Sequence, residues 1–78
     1  MAKLPDLLPF PKSSSSLAAY HYDPNTRTLH TRFTSGDAVY RYDDVPAERV
    51  AVLLENQSPG RYFGAKIRGF YNGKKVAP

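Results

Sequence analysis

Three short runs of the chain carry their large side chains at every second position and end in turn chemistry. Tyr20 and Tyr22 lead into Asp23-Pro24-Asn25, Leu29, Thr31 and Phe33 into Ser35-Gly36, and Tyr40 and Tyr42 into Asp43-Asp44. Such alternation in segments rich in β-branched and aromatic residues predicts a β-meander. A two-residue hairpin at Ser35-Gly36 would set Phe33 opposite Ala38, Thr31 opposite Tyr40 and Leu29 opposite Tyr42. Carrying that face to the first strand pairs Tyr22 with Leu29 and Tyr20 with Thr31. His21, His30, Arg32, Val39 and Arg41 then share the other face, and a slip of one residue would exchange the two.

After the meander the period changes. Pro46 suits the first turn of a helix, where its missing N–H is not needed, and Asp43, Asp44 and Glu48 place negative charge near that positive end. Ala47, Val50, Ala51, Leu53 and Leu54 recur at helical spacing, and the pattern fades at Asn56-Gln57-Ser58. The apolar stripe needs a partner, and the tyrosine-rich sheet face is the one available, so Leu29, Phe33, Tyr20 and the helix are expected to form the core. Ser58-Pro59-Gly60 reads as a break. Phe63, Ile67 and Phe70 suggest a last helical turn or two, weakened by Gly64 and Gly69, with a frayed segment after Asn72-Gly73. The predicted fold is α+β: a three-stranded antiparallel meander, one amphipathic helix and a short C-terminal helical turn.

Residues 1–13 form a Pro-rich extension in which Pro5, Pro9 and Pro11 interrupt Leu4, Leu7, Leu8 and Phe10, followed by the serine run 13–16. Proline favours extended backbone, so Leu7-Leu8-Pro9-Phe10 is either a docking segment for a partner or a tail laid on the domain's own surface, the second being favoured. The extension lacks the basic and continuous apolar stretches of a signal peptide, and no window approaches the roughly 20 apolar residues of a membrane span.

Composition narrows the classes. A chain of 78 residues buries only about 60% of its unfolded surface, too thin a core for a deep catalytic cleft. With no cysteine there is no disulfide framework and no thiolate metal site, which fits a cytoplasmic protein. Ten aromatics, six of them tyrosine, are first of all core material. The charge of +4 is unevenly spread: residues 1–60 carry six basic and seven acidic side chains, whereas 61–78 carry Arg61, Lys66, Arg68, Lys74 and Lys75 with no acid. One-sided charge is the footprint expected for a polyanion, though a solvated basic tail would look the same.

Ser14-Ser15, Leu17, Tyr22-Asp23, Leu29, Phe33, Gly36, Tyr40-Arg41-Tyr42, Val45-Pro46, Leu53, Ser58, Gly60, Tyr62-Phe63, Ile67-Arg68 and Tyr71, in that order and spacing, resemble the KTSC domain. The resemblance covers residues 14–71 and leaves 72–78 as a basic tail. It implies a small module found at the carboxyl end of some lysyl-tRNA synthetases and as stand-alone proteins of bacteria and phages, with RNA binding suggested by that attachment. Gly64 stands where an asparagine is common, so no site built on that asparagine carries over.

The chemistry available points away from an enzyme. His21, His30 and Asp23 could face one another across the sheet, but two histidines on an open sheet lack the third ligand and the shielding of a catalytic zinc site. No cofactor, metal or small-molecule substrate is indicated. Nucleic-acid binding needs cations for phosphates and aromatic faces for bases. The candidate residues are Arg32 and Arg41 on the outer sheet face with Arg61, Lys66 and Arg68 in the basic segment, joined by Tyr62 or Tyr71 if exposed. Tyr40 and Tyr42 are assigned to the core ahead of a stacking platform. The expected partner is nucleic acid, RNA ahead of DNA. The alternative is a protein partner reached through an edge strand or the Pro-rich segment.

Overall fold

The structure is a computed structural model that describes residues 6–10 and 16–77; the rest of the Pro-rich extension and Ser13 to Ser15 lie outside the described residues. Its elements are β1 (Leu8–Pro9), β2 (Leu17–Asp23), β3 (Thr28–Phe33), β4 (Val39–Tyr42), α1 (Ala47–Glu55), α2 (Pro59–Phe63), a π-helical turn (Gly64–Arg68) and β5 (Gly73–Ala77). The strands form one antiparallel sheet in the order β1-β2-β3-β4-β5. The central meander has the expected register: Tyr22, Leu29 and Tyr42 align across β2 to β4, as do Tyr20, Thr31 and Tyr40, and His21, His30 and Arg41.

The sheet has five strands where three were expected. β1 is two residues of the Pro-rich segment, with Leu8 opposite Tyr20 and Pro9 opposite Ala19. The Phe10 ring meets Tyr20 edge-on at 5.6 Å, so this segment lies on the domain's own sheet. β5 takes up the residues expected to fray, placing Lys74 opposite Arg41 and Lys75 opposite Tyr40. Its pairing to β4 is set by tertiary packing, which composition alone does not announce.

The β3–β4 loop also departs from expectation. A primed two-residue turn requires positive φ, and Gly36 has none. Instead Gly36 N–H donates to the Phe33 carbonyl at 3.4 Å, and the ladder ends at Arg32 opposite Val39, leaving Phe33 and Ala38 beyond it. In β2 a bulge between Leu17 and Ala19 lets Leu17 pair with Phe33 on the inner face while Ala19 pairs with Arg32 on the outer. Without it Leu17 would face away from the side that Tyr20 and Tyr22 share.

Helix α1 starts one residue later than expected. Pro46 is its extended N-cap, and the Pro46 carbonyl accepts from Arg49 at 3.0 Å and Val50 at 3.3 Å. Pro59, read as a break, instead opens α2, its fixed φ fitting the first helical position. α2 runs into the π-helical turn, making a second helical segment where only a turn or two was expected. The inner sheet face and these helices enclose Leu17, Leu29, Tyr42, Val45, Val50, Leu53, Phe63 and Ile67. Tyr20 and Phe33 pack at its margin, and of the α1 stripe Val50 and Leu53 are buried while Ala47 and Ala51 are exposed. Phe70 is 71% exposed, because the helix closes at Gly69 and the next residue turns outward. The Tyr22 hydroxyl donates to the Val45 carbonyl at 2.5 Å, and Val45 N–H to the Arg27 carbonyl at 2.9 Å, tying the entry of α1 to β2 and its turn.

Candidate nucleic-acid interface

Side chains that share an antiparallel register position lie side by side on one face. The outer face therefore carries a row crossing four strands, His21–His30–Arg41–Lys74, with Arg32 one position along on the neighbouring row. Arg32 is the diagonal neighbour of Arg41 and Lys74 its direct one, so three permanent cations are contiguous. The ends of β2 and β4 place Asp23 and Asp43 beside this row. Asp43 Oδ1 stands 3.2 Å from Arg41 Nε as a half-exposed ion pair without hydrogen-bond alignment.

The histidine rings lie 6.3 Å apart and tilted. Burial first, then the charges of His21 and Arg41, hold the His30 imidazole below its ordinary pKa of 6.5, with Asp43 acting in the opposite sense. Near neutral pH His30 is thus an uncharged neighbour of Arg41. Among the described residues, no group of three His, Asp or Glu side chains is gathered where it could hold a metal.

Arg61, Lys66 and Arg68 are exposed, but they belong to the helical layer over the inner face. The five candidate cations therefore divide between two sides: Arg32 and Arg41 on the open sheet, the other three on the opposite layer. Lys74 completes the sheet group, although in sequence Gly73 to Val76 reads as part of a tail, with neither the composition nor the alternation that would announce a strand. Tyr62 and Tyr71 are half-buried and packed against the core, and their hydroxyls hold Arg49, raising its pKa. The Arg49–Tyr62 distance is 3.4 Å. Tyr42 is buried and Tyr40 half-buried.

The family model for the KTSC domain matches residues 13–71. This chain belongs to the KTSC domain family. A crystal structure of a KTSC domain protein from Yersinia pestis superposes with a TM-score of 0.82 at 29% identity, covering 92% of this chain and 97% of that one. An uncharacterized protein of Stutzerimonas stutzeri is 52% identical over 50 residues, spanning 64% of this chain and 69% of its own length. A lysine–tRNA ligase of Nostoc is 33% identical over 79 residues, spanning 97% of this KTSC chain but only 14% of the ligase. No helix among the described residues is long and apolar enough to cross a membrane.

Proposed function

We propose that this KTSC domain is a non-catalytic cytoplasmic module that binds nucleic acid, RNA ahead of DNA, on the outer face of its sheet. The observation that carries the reading is the contiguity of Arg32, Arg41 and Lys74 on three adjacent strands, with one carboxylate, Asp43, paired to them. Cations fixed on a rigid sheet attract a polyanion and release its counterions. The similarity to part of a lysine–tRNA ligase supports RNA as the partner. Arg61, Lys66 and Arg68 form a second positive surface that a long strand could reach around the domain.

Filter binding at low salt against single-stranded RNA, duplex RNA and DNA tests this. Retention that drops when Arg32, Arg41 and Lys74 are changed together to alanine is the expected result; no retention of any of the three nucleic acids refutes it. A protein partner is the second reading, favoured by β5, whose outer backbone edge is the end of the sheet. Such an edge can accept an added strand, although Lys74 and Lys75 on it are the kind of residue that discourages one. Strand addition would barely respond to ionic strength, whereas polyanion binding falls steeply.

A further inference from the structure

On the side of the sheet away from the proposed interface, an open-sided cleft of about 660 Å³ lies between the β3–β4 loop, the start of β5 and the end of the π-helical turn. Phe33, Tyr40 and Tyr42 line it with aromatic surface, Gly36 and Gly73 with backbone, and Arg68 supplies its charge. The volume falls in the usual range for small-molecule sites.

Three features suit this cleft to one kind of ligand. First, Arg68 is already positioned: its guanidinium carbon stands 5.5 Å over the centroid of the Phe33 ring, and it also faces the Tyr42 hydroxyl. Second, the aromatic lining is rigid. Phe33 meets Tyr40 edge-on at 5.7 Å and Phe63 at 5.5 Å, and Tyr42 meets Phe63 at 5.2 Å. Third, no acidic residue is among the described residues lining the cleft, and Lys75 pairs opposite Tyr40, one of the lining residues.

A planar ring can stack on aromatic and guanidinium faces, while an attached anion takes N–H groups of Arg68. We infer that the cleft binds a nucleoside monophosphate unit, either free or as the terminal nucleotide of a strand. The base lies against the Phe33–Tyr40 wall and the phosphate at Arg68. This site is separate from the outer face and does not require it.

Amide chemical shifts of the full chain, titrated with AMP, provide the test. Saturable shifts at Gly36, Tyr40, Tyr42 and Gly73 are expected, with adenosine and inorganic phosphate each binding several-fold more weakly. Arg68→Ala should weaken AMP roughly tenfold, the effect of removing one charge-assisted hydrogen bond. Arg61→Ala, and the triple change at Arg32, Arg41 and Lys74, should leave AMP binding as it was. A short oligoribonucleotide with a 5′-phosphate, compared with AMP and with its 5′-hydroxyl form, separates a strand end from a free nucleotide by which binds more tightly. Absence of saturable shifts up to about 10 mM AMP, or shifts confined to His21, His30 and Arg41, overturns the inference. So does an Arg68→Ala protein that binds AMP unchanged.

Discussion

Gly73 lies so close to the ring of Tyr42 that a Cβ added to it would stand 2.8 Å from Cζ and nearer still to Cε2. The ring has little room to withdraw, because it is buried and packed edge-on against Phe63. Gly73→Ala is therefore expected to destabilise the domain by about 1–3 kcal/mol, the usual cost of overpacking a filled site. Thermal denaturation reads this directly, and an unchanged Tm would mean that β5 can shift at no cost.

Thr31 occupies the middle of the inner face between Tyr20 and Tyr40, fully buried, and its Oγ1 has no hydrogen-bond partner among the described residues. A hydroxyl stranded in this way costs about 1–3 kcal/mol. Thr31→Val keeps the shape and the β-branch while removing the stranded group, so the urea midpoint should rise by the equivalent of about 1 kcal/mol. A lower midpoint would mean that the hydroxyl is satisfied in solution.

The lowered pKa of His30 makes stability depend on pH. Below 6.5, the ordinary value, the unfolded chain takes up the proton that the folded chain refuses. Stability should be fully present above that pH, fall as pH drops through it, and level off below the folded-state value. Urea unfolding between neutral and mildly acid pH measures the fall. His30→Gln, which cannot titrate, should flatten it; an equal slope in the variant would assign the effect to other groups.

Binding through the outer face should leave a characteristic ionic-strength dependence. For single strands the slope of log K against log salt scales as about 0.7 per phosphate neutralised, so removing Arg32, Arg41 and Lys74 together should flatten it by roughly 2. The same triple change should hardly affect unfolding, since these side chains lie on the open face. A weakened affinity with an unaltered slope would point to a role other than phosphate neutralisation.

The alternation of Tyr20, Tyr22, Leu29, Thr31, Tyr40 and Tyr42 was enough to read the central register, because one face of these strands must be buried and any slip would expose it. It also placed Arg32 and Arg41 together. β1 was not legible, since two residues carry no period. β5 was not legible either, because Lys74 and Lys75 in a short glycine-led segment look like a tail until β4 is there to pair with them. The division of the cations arises in the same way. Spacing puts Arg61, Lys66 and Arg68 on one helical stretch, but only Phe63 and Ile67 inserting into the core decide which side of the sheet that stretch covers.

The order of the strands has a consequence for how the chain assembles. β1 to β4 follow one another through short connections, so each pairing closes a small loop and forms early. β5 alone must wait for the excursion from Tyr42 through both helices to return. It is thus the last strand to zip up, and whenever it peels away Lys74 leaves the cationic row and Gly73 the wall of the cleft at once.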